Sequence, residues 1–357
     1  MKKIKSLKSL GIFILLGFLF GIIVFLNKGI TQETKTERPF YESSLHYYAH
    51  GMAYWYSKES GGLETLTGIP YDNLACNQCH AKTCDRCHKV EMDGKLAYSV
   101  KKAKSTENCL SCHGRHKTML SMLKSEEVKD VHFSKGMECM NCHTQKDIHG
   151  DGKRYISMRE KGAMDIKCEN CHPERPETIS HKIHKDKLDC TACHVRQVIT
   201  CASCHMDTFI KTGKRVSIPL KNWVFLINYD GKVVSGNIQT FVVNKNKTFI
   251  IFAPYYSHDA VKQGRKCEEC HATDIVKKVN TGEIEITWIE NGNLTNLKGV
   301  IPIVEGVEYK NAYMEYVDGK WIPLKDPEKP LSQFVAFGKP LTKDQLKKLM
   351  LPFKSEK

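Results

Sequence analysis

The first feature of the hydrophobic pattern is an uncharged run over residues 10–26. It follows four lysines at the N-terminus, which predicts an uncleaved membrane anchor with its basic flank in the cytoplasm. At 17 residues the run is at the lower limit for a membrane-spanning helix. A cleaved signal peptide is the alternative, although residues 27–32 make a poor cleavage site. In both cases the rest of the chain is expected to be exported.

A second pattern, typical of β-strands, covers residues 206–357. Two apolar runs flank Asp230–Gly231, which predicts a hairpin with a tight turn. The strand signal continues between residues 241 and 252. Near the end, Thr342 is followed three residues later by Gln345, which predicts the N-terminus of a helix. This region is therefore expected to be rich in β-structure.

Between these two regions the chain is dominated by a short repeat, Cys-x-x-Cys-His. The repeat occurs eight times and uses all 16 cysteines of the chain. Seven copies lie within residues 76–205, and the eighth lies in the β-rich region. The cysteines are Cys76, Cys79, Cys84, Cys87, Cys109, Cys112, Cys139, Cys142, Cys168, Cys171, Cys190, Cys193, Cys201, Cys204, Cys267 and Cys270. The histidines that follow them are His80, His88, His113, His143, His172, His194, His205 and His271.

The histidine in every copy decides between the possible chemistries of these pairs. Cysteine pairs at this spacing can bind zinc, hold iron–sulfur clusters or form disulfides, but none of these requires the histidine. Cys-x-x-Cys-His is instead the attachment signature of c-type haem. Two thiols add to the haem vinyl groups, and the imidazole binds the iron as proximal ligand. One helical turn brings all three to one side. The sequence therefore predicts eight covalently bound c-type haems.

The spacing of the motifs also predicts the fold class. Seven haems in so few residues leave no room for an ordinary apolar core. We therefore expect a mostly irregular, short-helical multihaem region with the haems as its core and little sheet, joined to a β-rich C-terminal region and a single N-terminal transmembrane helix. The expected domains are 1–28 (cytoplasmic tip and anchor, or signal peptide), 29–205 (seven haems) and 206–357 (the eighth haem).

The cellular compartment follows from the apolar N-terminal run and from the haem motifs. Because c-type haem is attached outside the cytoplasmic membrane, the bulk of the chain is expected on the extracytoplasmic face, periplasmic or outer. A single pass through the membrane would hold it there.

Eight further histidines are candidates for the distal axial positions. No histidine of the chain lies before His46 or after His271, and most candidates lie close to a motif, so their distribution follows the predicted cofactors. These distal candidates are His46, His50, His116, His132, His149, His181, His184 and His258.

The net charge of +14 would in itself suggest an anionic partner. Haem propionates change this sum, because eight haems would bring the charge to about +6 when oxidised and about −2 when reduced. The basic residues are dispersed and form no nucleic-acid-binding motif. Nucleic acid is therefore not an expected partner.

The chain resembles the multihaem c-type cytochromes, a broad group that includes class III cytochromes and octahaem oxidoreductases. The resemblance covers residues 46–271 and rests on the eight motifs and on upstream histidines such as His181 and His184 before Cys190. Class III cytochromes imply bis-histidine, low-potential electron transfer. Octahaem enzymes of the tetrathionate reductase and hydroxylamine oxidoreductase groups imply one haem with an open or weakly held site. A Cys-x-x-Cys-Lys motif and a spare cysteine are both absent from this sequence, which weakens the enzyme interpretation.

The leading hypothesis is a membrane-anchored cytochrome that transfers electrons along a chain of haems, in anaerobic respiration. Its expected partners are the membrane, the quinone pool and redox proteins. The first alternative is an oxidoreductase that acts on a small nitrogen or sulfur compound at one open haem. The second is a structural subunit of a filament or a larger complex.

Overall fold

The computed structural model describes residues 40–353 apart from 49, 77–79 and 128, and of residues 40 and 50 it describes only the backbone. The predicted anchor over residues 10–26 lies outside the described residues, as does Cys79 of the first motif. The thirteen α-helices of the described part are short. They are α1 (Leu45–Tyr48), α2 (His50–Tyr56), α3 (Glu64–Thr67), α4 (Asp85–His88), α5 (Val100–Lys104), α6 (Thr106–Leu110), α7 (Gly114–Leu123), α8 (Gln145–His149), α9 (Ile179–His184), α10 (Cys190–His194), α11 (Met206–Thr212), α12 (Asp274–Asn280) and α13 (Lys343–Met350).

Short 3₁₀ turns add to these helices at Phe40–Ser43, Lys58–Ser60, Tyr71–Asn73, Phe133–Lys135, Cys139–Asn141, Cys168–Asn170 and Cys267–Glu269. The described strands are β1 (Lys89–Met92), β2 (Lys95–Tyr98), β3 (Val198–Ala202), β4 (Cys204–His205), β5 (Ile218–Tyr229), β6 (Lys232–Val243), β7 (Lys247–Pro254), β8 (Glu283–Glu290), β9 (Asn293–Asn296), β10 (Gly299–Pro302), β11 (Glu308–Asn311), β12 (Met314–Val317), β13 (Lys320–Pro323) and β14 (Leu331–Phe334).

A seven-stranded sheet organises the β-rich part. Its order is β10-β5-β6-β7-β14, with β3 paired to β5 and β4 paired to β6. The long central strands β5 and β6 are antiparallel, and their turn is the predicted Asp230–Gly231 pair. Both turn residues have positive φ (48° and 76°), the conformation that a tight hairpin turn requires. Smaller sheets join β11-β8-β9, β12-β13 and β1-β2.

The main apolar core lies against this sheet. Trp223, Phe225 and Ile227 of β5 are each no more than 1% exposed, and they pack with residues of β8, β10 and α12. Because helices and smaller sheets cover the central strands, these strands are apolar on both faces. A second cluster joins Leu63 and Leu74 of the N-terminal segment to Phe249 of the sheet. The N-terminal segment and the β-rich part therefore share a core.

The predicted fold class is wrong in the region of the seventh motif. Residues 198–205 were expected to be short-helical or irregular, but β3 and β4 are strands of the central sheet. Val198, Ile199 and Ala202 are at most 2% exposed. Burial against β5 and β6 favours the strand conformation here over the helical turn that the motif chemistry suggested.

The predictions of a single transmembrane helix and of a single-pass membrane location are also corrected. In the part of the chain that the structure describes, no helix is long and apolar enough to cross a membrane. The longest described α-helix, α7, has 10 residues. Such a helix spans only about 15 Å, half the thickness of the hydrocarbon layer. The domain boundaries given above stay predictions.

Candidate haem-binding sites

Most motifs have the backbone turn that haem attachment requires. In five of them the histidine N–H donates to the carbonyl of the first cysteine, at 2.8–3.1 Å between nitrogen and oxygen. These five begin at Cys84, Cys109, Cys139, Cys168 and Cys267. A sixth motif forms the helix α10. A single helical turn places residues three and four apart on one side, so both thiols and the imidazole of these six motifs lie on the same side of the backbone.

Six of the motif histidines face a second histidine at a narrow range of separations. The distances between ring centroids are 6.2 Å for His88 and His149, 6.1 Å for His113 and His46, 6.5 Å for His143 and His258, 6.3 Å for His172 and His132, 6.2 Å for His194 and His181, and 6.1 Å for His271 and His184. Each pair joins a motif histidine to a histidine that the sequence nominated as a distal ligand.

This separation is the one that two axial imidazoles on a single iron would have. A metal–imidazole bond is about 2 Å long and a ring nitrogen lies about 1.1 Å from its ring centre, so the two centroids lie roughly 6.2 Å apart. Imidazoles in direct hydrogen-bonding contact lie closer together, as His116 and His258 do at 4.4 Å. The six pairs therefore fit haem iron between them.

Hydrogen bonds at the second ring nitrogen fix the orientation of several of these imidazoles. The Nδ1 of His194 lies 2.9 Å from the carbonyl oxygen of Val261, and that of His184 lies 3.0 Å from the oxygen of Ser180. The Nδ1 of His181 lies 2.9 Å from the oxygen of Pro176. An Nδ1–H that donates to a carbonyl leaves the lone pair of Nε2 for a metal. These three rings are thus held in the tautomer that a ligand needs.

Burial favours the neutral form of the paired imidazoles. It lowers the pKa of both His46 and His258 to about 4, and it also lowers the pKa of His113 and His143. Neutral imidazole is the form that binds iron. These histidines therefore need no proton loss to act as ligands at neutral pH.

His116 is placed differently from the other distal candidates. It lies one helical turn after His113 with 6.0 Å between the two ring centroids, but unlike the six pairs it is also in direct contact with a second candidate ligand, His258, at 4.4 Å. Its Nδ1 is 3.0 Å from the Nδ1 of His258, and its ring stacks on Tyr255. His116 thus contacts a candidate ligand. The last candidate, His50, has a side chain outside the described part.

At the two remaining motifs a tyrosine takes the facing position. The Tyr71 and His80 ring centroids are 6.1 Å apart, and the Tyr71 hydroxyl lies 3.2 Å from His80 Nε2. The Tyr316 and His205 centroids are 6.4 Å apart. Among the described side chains, no histidine faces His80 or His205 in this way. Neither tyrosine was predicted, because no spacing rule links a distant aromatic residue to a motif.

Neighbouring motifs contact one another through their cysteines. Cys139 is the main cause of the raised pKa of Cys109, and Cys190 has the same effect on Cys168, so these thiols are close neighbours. The Arg86 guanidinium lies 3.6 Å from Cys112 Sγ, which joins the second motif to the third.

Two further electrostatic interactions between cysteines extend this series. The charge of Cys171 contributes to the raised pKa of Cys142, although burial contributes more. The charge of Cys193 likewise contributes to the raised pKa of Cys270, again less than burial does. The motifs whose histidines are His88, His113, His143, His172, His194 and His271 therefore form one continuous series.

The other uses of cysteine pairs need different geometry. Zinc and iron–sulfur sites take three or four side-chain ligands. Over the described residues, no group of three His, Cys, Asp or Glu side chains is arranged to hold a metal ion. No disulfide joins the described cysteines. A covalently attached haem needs from the chain only two thiols and the axial ligands, which is the set that the six paired motifs provide.

Comparison with known proteins gives one distant similarity. The chain is 22% identical over 172 residues to "Dissimilatory sulfite reductase MccA" of Wolinella succinogenes. The match covers 38% of this chain and 24% of that protein, so the chain spans about a quarter of its relative's length. No family model matches the chain, and no solved structure matches it. The similarity weakly supports a multihaem cytochrome with oxidoreductase character.

Proposed function

We propose that the chain is an octahaem c-type cytochrome that transfers electrons along a line of bis-histidine haems. The observation that carries this proposal is the set of six histidine pairs at 6.1–6.5 Å. Two imidazoles keep haem iron six-coordinate in both redox states, with little rearrangement when an electron moves. A ligand set of this kind suits electron transfer better than substrate binding.

The continuity of the six paired motifs supports the same function. Electron tunnelling weakens steeply with distance, so haems that pass electrons must lie close together. At two of the junctions, cysteines of successive motifs lie close enough to change each other's pKa. Haems attached to these thiols would be immediate neighbours. The donor and the acceptor would then be redox proteins that dock at the ends of the series.

In this proposal the bound haem supplies a reversible one-electron change at each site. At the six paired sites the chain would hold the iron between two imidazoles, and the backbone carbonyls of Val261 and Ser180 keep the rings of His194 and His184 in place. Burial around His46 and His258 limits the access of water. Ligand identity, hydrogen bonding and burial then set the reduction potential of each haem.

Spectroelectrochemical titration of the holoprotein tests this function. Eight haem equivalents should reduce reversibly at low potential. His184→Met should raise the potential of one haem, because a thioether stabilises ferrous iron relative to imidazole. Lys182→Met is the matched control, since this exposed lysine lies on the same helix α9, and it should leave the potentials unchanged. Potentials that do not respond to His184→Met would contradict the assignment of His184 as a ligand.

A second function is supported by the two motifs that face a tyrosine. A haem without a second histidine would leave an axial position for a substrate, and the similarity to a sulfite reductase points the same way. The second candidate is therefore an oxidoreductase that acts on a small nitrogen or sulfur compound. The test is the current from the protein on an electrode with sulfite, nitrite or hydroxylamine. A sustained catalytic current, larger than the current in buffer without substrate, favours this candidate. No catalytic current with any of the three compounds favours electron transfer alone.

A further inference from the structure

Two of the distal histidines come from segments that are far apart in the sequence but contact each other. His132, which faces His172, lies just before the 3₁₀ turn Phe133–Lys135. His258, which faces His143, lies in the loop after β7. The two haems that these pairs would hold are consecutive in the series, so the contact lies between neighbouring redox sites.

The carboxylate of Asp130 joins the two segments. Its Oδ1 accepts hydrogen bonds from the backbone N–H groups of His132 and Phe133, at 2.8 Å and 2.9 Å. Its Oδ2 accepts one from the N–H of Ala260, at 2.7 Å. The residue is only 3% exposed, so it is a buried acid whose two oxygens each have a donor. One side chain thus holds the backbone beside both distal histidines.

Further contacts keep this carboxylate in place. The Val131 N–H donates to the Ala260 carbonyl at 2.9 Å, so the two segments are also joined through their backbones. The Phe133 ring lies beside that of His258, with 6.0 Å between the ring centroids. Ala260 in turn forms a β-bridge with Val195, directly after α10. The position of the carboxylate relative to the two distal histidines is therefore fixed by backbone contacts on both sides.

The charge of Asp130 is close to both imidazoles and is not neutralised by a basic side chain. In the described part of the chain, no lysine or arginine forms an ion pair with it, and the nearest imidazole nitrogen is His132 Nδ1, 3.7 Å from Oδ1. Burial is the main cause of the lowered pKa of His258, and the Asp130 charge opposes this effect. A buried charge is screened much less by salt than one at the surface.

We infer that Asp130 is a positioning residue whose buried negative charge lowers the reduction potentials of two consecutive haems, those of His143 and His172. This inference rests on the proposed electron-transfer function. An iron that accepts one electron passes from ferric to ferrous and loses one positive charge, so a fixed negative charge nearby stabilises the ferric form. Because one charge acts on both sites, both potentials change in the same direction. The free energy of electron transfer between these two haems therefore changes little.

Two neutral variants of the holoprotein test the inference by spectroelectrochemical titration. Asp130→Asn removes the charge and keeps the size of the side chain. Asp130→Ser also removes the charge and keeps a hydroxyl that can accept from the N–H groups of the following turn. In both variants the equilibrium constant for reduction should rise about tenfold at two haems, which is about 59 mV for a one-electron couple. The other transitions should stay at their wild-type potentials.

Ligand variants identify the two transitions, and a matched variant controls for the loss of a carboxylate. His132→Met and His258→Met should each raise the potential of one haem, because a thioether stabilises ferrous iron, and they mark the two transitions that Asp130 should affect. Glu127→Gln is the control, since it removes an exposed carboxylate three residues before Asp130. It should leave all potentials unchanged.

Near-infrared magnetic circular dichroism of each sample separates the effect of the charge from a loss of ligands. The inference is overturned if a neutral variant that keeps bis-histidine ligation also keeps both wild-type potentials, or if only one of the two potentials changes. It is also overturned if both neutral variants lose bis-histidine ligation, because Asp130 would then act only by holding the ligands. The proposed function fails separately, if the wild-type protein itself lacks bis-histidine haems.

Discussion

At the scale of single residues, the hydrogen-bond partner of Nδ1 distinguishes histidines that are candidate haem ligands from histidines that lie beside such a ligand. His194 and His184 bind backbone carbonyls through Nδ1 and face another ring. His116 instead binds another imidazole, that of His258. Removing a group that orients a metal ligand commonly weakens the binding of the metal by about 10- to 100-fold. We therefore interpret His116 as a residue that positions His258.

His116→Ala should leave the haem of His143 bound but loosen its distal imidazole. The expected result is that cyanide displaces His258 about 10- to 100-fold faster than in the wild type. Stopped-flow mixing of oxidised protein with cyanide measures this rate. Lys117→Ala, at an exposed position of the same helix, should exchange at the wild-type rate. A high-spin haem in oxidised His116→Ala, in place of faster exchange, would show that His116 is itself a ligand.

Glu126 gives a prediction for the dependence of stability on pH. Burial would raise the pKa of Glu126, but hydrogen bonds from Lys221 and Gln197 and the charge of Arg196 outweigh it, so its pKa lies below the usual value for a glutamate. A lowered pKa in the folded state means that the stabilisation is present above the unfolded value and is lost as the pH falls through the folded value.

Glu126→Gln should therefore reduce the free energy of unfolding by about 1–2 kcal/mol at pH 7 and have a smaller effect below pH ~4. Denaturant unfolding of the holoprotein at the two pH values measures this difference. Glu127→Gln, at the adjacent exposed position, should have little effect at either pH. An equal loss at both pH values would show that the Glu126 charge is not responsible.

At the scale of elements, the seventh motif shows how tertiary structure overrides a local signal. Ser203 lies inside the motif and also holds β12 in place. Ser111 has the same position within the third motif, but it is exposed and its hydroxyl donates to Asn108 in its own turn. The same residue at the same place in the motif thus has two structural roles.

This contrast provides a matched pair of variants. Ser203→Ala should reduce the free energy of unfolding by about 1–3 kcal/mol, because the buried Met314 N–H would lose its acceptor. Ser111→Ala should change it by less than about 0.5 kcal/mol. Denaturant unfolding of both holoproteins measures the difference. Equal effects would contradict the role of Ser203 in fixing the hairpin that carries Tyr316.

Local signals predicted some elements of this chain well. The Asp230–Gly231 turn and the Thr342 cap of α13, with its reciprocal Gln345 contact, are where the sequence pattern placed them. Both depend on residues that are close in the sequence. The strands at 198–205 and the approach of Tyr316 to His205 depend on pairing over long distances. No local pattern encodes these contacts, so the sequence could nominate the distal histidines as a set but could not pair them.

At the scale of the whole molecule, a β-sheet core supports the haem motifs at its edge and within it. The sheet carries the seventh motif, and the loop after β7 provides His258 to the site of His143. The apolar core of Trp223 and Phe225 needs no haem to form. The six paired motifs, in contrast, are built around pairs of imidazoles with a gap between them. Haem should therefore contribute more to the stability of the motif region than to that of the sheet.

The central claim is that six motif histidines share an iron with a second histidine. Near-infrared magnetic circular dichroism of the oxidised holoprotein, normalised to its iron content, tests this claim most directly, because its charge-transfer band distinguishes bis-histidine from other axial ligation. We predict at least six bis-histidine haems per chain, on the pairs found in the structure. Fewer than six, or a spectrum dominated by high-spin haem, would contradict the account.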